Sequence, residues 1–232
     1  MFKKILFAVF SCLCCLFSSF CVGIYVRASL VDGFSLRPAV GALVLICACV
    51  AVYVAARSAG DVIFPQHKRR LIRCALSFSC VLYVFLLINF LFFESAFARQ
   101  HSLIFLQDKE VVAEYLNEYL NLKPFSMIQR YTYGFKIGTV SFQRFSMNII
   151  GNFVLFMPFA FFLPLEYRKQ NNFFVFLFTV ASMSFVAEVL QVITMTGTGD
   201  IDDLFLNTVG ACILFGLLRT KAGRKIVNFI GT

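Results

Sequence analysis

Charge is scarce in this sequence. Of its 232 residues only 14% are Asp, Glu, Lys or Arg, while 60% are hydrophobic. A soluble domain is about half apolar and about a quarter charged, and so few polar side chains cannot cover the surface of one. A cytosolic enzyme, a disordered tail and a secreted disulfide scaffold are therefore excluded. Histidine is scarcer still, with His67 and His101 alone. There is no His-Glu-x-x-His helix, no Walker loop and no Gly-x-Ser-x-Gly elbow, so a serine or cysteine hydrolase is not expected. The extended loops hold no cysteine. Cys12, Cys14, Cys15, Cys21, Cys47, Cys49, Cys74, Cys80 and Cys212 all fall within or at the edge of apolar runs, and no disulfide framework is expected. Cys12-Leu-Cys-Cys15 reads as small apolar packing, because no His or acid accompanies it. Low-complexity linkers and internal repeats are also absent.

What the sequence has instead is six uncharged runs, at 5–26, 38–56, 74–93, 145–165, 173–187 and 204–218. A helix crossing the hydrocarbon needs about 20 mostly apolar residues at about 1.5 Å rise each. The fifth run extends past Glu188 to about Thr194, and the sixth must borrow residues from its flanks. Strands of a membrane barrel would alternate polar and apolar residues, and these runs do not. The expected fold is all-α: a polytopic membrane helix bundle of about six transmembrane helices. Lys3 and Lys4 precede the first run as in a signal peptide. That run is long for one, lacks an Ala-x-Ala site and reads as a retained helix.

Positive charge on short loops sets orientation. With the N-terminus inside, the inner segments carry thirteen Lys and Arg, and the short outer loops carry only Arg27 and Arg37. Both termini are thus expected on the cytoplasmic side of a cell membrane. His67 and His101 then fall on opposite faces. The net charge of +9 is expected to act as a cytoplasmic collar facing anionic lipid. No soluble basic domain exists to bind nucleic acid.

Residues 1–73 supply two helices and a basic cytoplasmic link at 57–73. Residues 74–232 form a second, four-helix part with an outer loop at 94–144 and a basic tail. Within that loop, 107–122 reads as an amphipathic helix. Val111, Val112, Tyr115, Leu116, Tyr119 and Leu120 recur at helical spacing, with Glu110, Glu114, Glu118 and Asn121 opposite. Pro124 is expected to end it. The stretch 125–145, with Arg130, Lys136 and Arg144 among aromatics, is expected at the interface.

Polar residues inside membrane helices are costly, so they face the bundle and often do work. Asn148 and Asn152 share one face of the fourth helix at i and i+4. Ser184, Glu188 and Gln191 share one face of the fifth. A short turn then reads Thr196-Gly-Thr-Gly-Asp-Ile-Asp-Asp203, and the sixth helix enters with Asp203 and Asn207, with Gly210 one turn on. With the N-terminus inside, all of these lie in the outer half of the bilayer or at its outer surface. Such a set of hard oxygen ligands suits Mg²⁺, Ca²⁺ or Mn²⁺ and not zinc, with Asp200, Asp203 and Glu188 as the metal candidates. A carboxylate pair can also share a proton for acid–base work, which would make Glu188 and Asp203 the catalytic groups of an enzyme. Alternatively Arg130 or Arg144 neutralises the acids and the whole site grips a polar headgroup. Two structural roles compete with these. Asp200 and Asp202 can cap the sixth helix, and Asn148, Asn152, Gln191 and Asn207 can hydrogen-bond between helices. Pro158 removes an amide from the fourth helix, so a bend is expected there.

Four ordered motifs resemble the VanZ-like membrane proteins, named after a glycopeptide (teicoplanin) resistance protein of Gram-positive bacteria. They are Asn121-Leu-Lys-Pro124-Phe125, Asn148-Ile-Ile-Gly-Asn152-Phe-Val-Leu-Phe-Met-Pro158-Phe, Glu188-Val-Leu-Gln191, and Asp200-Ile-Asp-Asp203-Leu-Phe-Leu-Asn207-Thr-Val-Gly210. The resemblance covers roughly 74–218. It implies a binding site built from Asn121, Pro124, Phe125, Asn148, Asn152, Glu188, Gln191, Asp200, Asp202, Asp203 and Asn207. One departure is that the family often carries an Arg shortly before its Asp-rich turn, whereas Thr196–Gly199 has none.

Together these readings lead to an envelope protein that binds an amphiphile from the outer leaflet, contributing to teicoplanin-type resistance. The partners expected are membrane lipids and a lipid-linked cell-wall precursor or a lipoglycopeptide. The alternative is a membrane-embedded enzyme that modifies a lipid headgroup with the help of Mg²⁺ or Ca²⁺. A small transporter would need charged groups spaced through the membrane, and helices one to three lack them.

Overall fold

A computed structural model describes residues 2–30, 38–92 and 103–231. Arg37, His101 and the first part of the outer loop lie outside the described residues. Six helices among the described residues are long and apolar enough to cross a membrane: Lys4–Tyr25, Val40–Val62, Pro65–Phe92, Phe142–Glu166, Phe173–Ile193 and Ile201–Leu218. The chain is therefore a multi-pass, all-α membrane protein. The sixth span gains its length by taking in Ile201, Asp202 and Asp203, so two acids start a membrane helix.

The chain forms two compact units, Met1–Phe90 with Lys225–Thr232, and Leu91–Arg224. In the first, α1 (Phe2–Leu30) and α2 (Pro38–Val62) lie antiparallel. Cys21, Tyr25, Leu45 and Ala48 bury together with Leu82 of α3 (Lys68–Phe92). Small side chains at the contact let the backbones approach, as membrane helices require when the surrounding lipid is as apolar as they are. Near the other end, the Ser11 and Ser58 hydroxyls hydrogen-bond at 2.8 Å.

The second unit opens with α4 (Lys109–Tyr119), whose Tyr115 is buried while Glu110, Glu114 and Glu118 are exposed. The amphipathic pattern is realised, but the helix ends five residues before Pro124. The reason is pairing: Leu120–Asn121 (β1) run extended beside Gly199–Asp200 (β2) as a two-residue parallel ladder, Leu120 opposite Gly199 and Asn121 opposite Asp200. A second amphipathic helix, α5 (Ser126–Lys136), follows.

The fourth span is not one smooth helix. It runs through α6 (Phe142–Phe145), a π-helical turn at Ser146–Gly151, α7 (Asn152–Leu155) and α8 (Phe159–Glu166). The break at Phe156–Pro158 falls where Pro158 has no amide to give, so the bend expected there is present. α9 (Phe173–Ile193) begins under an Asn172 cap, whose side chain accepts from the Phe174 and Val175 amides. α10 (Ile201–Leu218) packs against α7, α8 and α9. Phe176 stacks on Phe215 with centroids 4.3 Å apart. α11 (Lys221–Gly231) closes the chain.

Candidate functional site

The site assembles where α9 ends, α10 begins and β1 meets β2, all inside the second unit. Gly210 is buried against the carbonyl of Phe153, so close that a Cβ there would sit 1.7 Å from that oxygen. Only a hydrogen fits. This approach brings α7 and α10 together, and the Asn152 side-chain amide donates to the Asp203 carboxylate. One turn deeper, the Asn207 amide donates to the Ser184 hydroxyl at 3.0 Å. Asn207 Oδ1 is left buried with no partner, an acceptor to which the surrounding protein offers no donor.

Glu188 is 9% exposed, and its Oε2 accepts the Asp200 amide at 3.1 Å. Asp200 caps α10 by accepting the Asp202 amide at 2.9 Å. It also takes the Asn121 side-chain amide on both oxygens at 3.0 Å. Asn121 is held in turn by the Ser126 hydroxyl, which donates to its Oδ1 at 2.7 Å. Burial pushes the Asp200 carboxyl above the usual carboxylate range, and the Asp202 charge adds to this. The Asn121 bond and the charge of Arg130 act in the opposite sense. The Asp203 carboxylate lies within electrostatic reach of Glu188, Asp200 and Asp202. The bond from the Asp200 amide thus brings Glu188 of α9 to the start of α10.

Asp202 does something different. At 1% exposure its carboxylate accepts the backbone amides of Phe125, Met127 (2.8 Å) and Ile128 (3.2 Å). These are N-terminal amides of α5, whose own N-cap residue, Phe125, offers no side-chain acceptor. Asp202 therefore caps a neighbouring helix across 75 residues of sequence, and its charge suits the positive end of that helix dipole. It also stabilises Phe125 in the left-handed conformation (φ 62°), which is uncommon for a bulky side chain. The Phe125 ring meets Phe205 edge to face at 5.4 Å.

Other expected residues fall elsewhere. Asn148 donates to the Arg144 carbonyl of its own helix at 2.9 Å and not to the acids. Gln191 donates to the Leu91 carbonyl at 3.1 Å, near the end of α3. Pro124 is exposed in the turn before α5. Lys68 pairs with Asp61 at 2.8 Å, and among the described residues neither Arg130 nor Arg144 forms an ion pair within 4 Å with the acids of the site. No group of three or more His, Cys, Asp or Glu among the described residues is placed to hold a metal ion. Asp200, Asp203 and Glu188 each serve a different donor.

Two features were not foreseen. The Tyr115 hydroxyl donates to the Gly197 carbonyl at 2.6 Å, tying α4 to the acidic turn. Beside Glu188 and Asp200 lies an almost wholly apolar cleft of about 320 Å³. Its walls include Leu120, Leu122, Phe185, Val189, Val192 and Leu204. The sequence places Leu120 on a helical face, since the extended turn that carries it depends on a partner 79 residues away.

A multi-pass helical protein with buried acid–amide contacts beside an apolar cleft is the class these features define. The VanZ/LLP1 family matches residues 80–222, and the chain belongs to that family. No curated protein and no solved structure matches the chain.

Proposed function

We propose that the chain binds an amphiphile from the outer leaflet, and that this contributes to resistance of the glycopeptide (teicoplanin) type. The cleft takes the hydrocarbon part of a lipid-linked wall precursor or of a lipoglycopeptide. The cluster of Asn121, Asn152, Glu188, Asp200, Asp203 and Asn207 takes the polar part. One observation carries this reading: the apolar cleft and the buried carboxylates share Glu188 and Asp200. A pocket that is mostly apolar with a few placed polar groups is what an amphiphile needs. Asp202 and Gln191 position the site through their bonds to the backbone of α5 and to the Leu91 carbonyl. The test is resistance in cells making Glu188→Gln or Asp203→Asn. Both variants are expected to insert, accumulate and fail to protect. Protection equal to wild type in both would show that these acids are structural.

A second reading is an enzyme that modifies a lipid headgroup. The buried Glu188 carboxylate at the mouth of the cleft, bonded to the Asp200 amide, favours it, since a desolvated carboxyl beside a second acid can take up and give back a proton. Purified protein incubated with envelope lipids and Mg²⁺ separates the two, because only the enzyme changes the mass of a lipid.

A further inference from the structure

The C-terminal helix α11 does not belong to the site above and is too short to span, since 11 residues reach only about 16 Å. We infer that α11 is an interfacial anchor whose apolar face enters the membrane while its basic face binds anionic lipid headgroups. Three independent observations point there. The first is register. Ala222, Ile226, Phe229 and Ile230 share one side at i, i+3 and i+4 spacing, and Lys221, Arg224, Lys225 and Asn228 share the other. Ile226 and Phe229 are 54% and 66% exposed, and the protein covers this face only in part, through the Arg57 guanidinium 4.7 Å from the Phe229 ring centroid.

The second is placement. α11 starts three residues after the sixth span ends at Leu218. Thr220 caps it, its hydroxyl accepting the Gly223 amide at 3.1 Å. Gly223 lies so near the end of α10 that a Cβ would sit 2.2 Å from the Leu217 carbonyl oxygen. A tight turn therefore ends the membrane helix and starts α11 directly after it. At its far end, Arg57 donates to the Phe229 carbonyl at 2.9 Å and Tyr53 to the Ile230 carbonyl at 3.1 Å. These bonds satisfy terminal carbonyls of α11 and tether it to α2.

The third is the charge. The basic residues sit in the first half of α11 and none is in its last turn. The helix dipole disfavours cations at an N-terminus, so local helix energetics do not account for them. No acid follows Asp203 in the chain, so α11 contains no internal counter-charge. An anionic lipid surface supplies that charge, at about 1 kcal/mol for each Lys or Arg near it.

The protein has no tryptophan, so F229W and N228W each place a single indole on one face of α11 in the full-length chain. Each variant is reconstituted in vesicles of phosphatidylcholine, with or without phosphatidylglycerol, containing acyl-brominated lipid. The F229W indole is expected to be blue-shifted and quenched severalfold more than the N228W indole. Phosphatidylglycerol should deepen that quenching, and adding K221Q/R224Q/K225Q should remove the dependence on it. Equal quenching of the two indoles overturns the anchor, as does a blue-shifted F229W indole that bromine does not reach, which would mean a second protein copy covers this face. Quenching that ignores both phosphatidylglycerol and the triple substitution overturns the anionic half of the inference.

Discussion

Within four residues, Asp200, Asp202 and Asp203 accept from three different sources: a side chain of β1, the amides opening α5, and a side chain of α7. Sequence chemistry makes them look equivalent, and burial separates them. Asp202 spends its acceptors on backbone amides, so Asp202→Ala should strand up to three amides at the start of α5. Each one that water does not reach costs about 1–3 kcal/mol. The expected result is a clear drop in the thermal midpoint of detergent-solubilised protein, while Glu188→Gln stays near wild type. A D202A protein as stable as wild type would contradict the role given to that cap. Asp200 makes a pH prediction. Its folded pKa is raised above the unfolded value, chiefly by burial, so the folded state takes up a proton first as pH falls. Stability should therefore increase as pH drops through the folded pKa, and the gain is complete below the unfolded value. Wild type should gain more thermal stability on acidification than Asp200→Asn. Parallel pH profiles for the two would refute this.

Among the elements, the fourth span shows why this bundle can carry a site. A π-helical turn, a proline break and a four-residue α7 replace a straight helix, and π turns are frequent at functional sites. The short α7 is pinned to α10 by the Phe153–Gly210 contact. Gly210→Ala should force the two apart and destabilise the protein by about 1–3 kcal/mol, as overpacking does. The same substitution should weaken function, because Asn152 then loses its hold on Asp203. An unchanged melting midpoint for G210A would mean that α7 moves aside at no cost. Helices α4 and α9 were legible from spacing and from apolar length. The β1–β2 ladder was not, because two residues carry no period and pairing depends on a strand 79 positions away.

At the scale of the whole molecule, six spans predict that both termini lie on one side of the membrane. The thirteen Lys and Arg on one set of segments predict that side to be the cytoplasm. Reporter fusions at Thr232 should be active only with a cytoplasmic reporter, and fusions in the loop after Gly197 only with an exported one. The reverse pattern would invert the proposed site and rule out an outer-leaflet ligand. The family match at 80–222 leaves α1 and α2 outside it. These two helices nonetheless have their own packed core with α3.

The sequence alone determined that this chain is an all-α, multi-pass membrane protein with six runs apolar enough to span. Apolar length and helical spacing are local properties, so one dimension suffices to read them. It also pointed to Asn121, Pro124, Phe125, Asn148, Asn152, Glu188, Gln191, Asp200, Asp202, Asp203 and Asn207 as candidate site residues. What only the tertiary structure decided is how each acid is used. Asp202 turned out to cap a distant helix, Asn148 bonds to its own helix, and Gln191 reaches the end of α3. The cleft beside Glu188 likewise exists only because β1 lies along β2. Hydrogen-bond partners and cavities are set by contacts between residues far apart in the chain, and those contacts exist only once the helices have met.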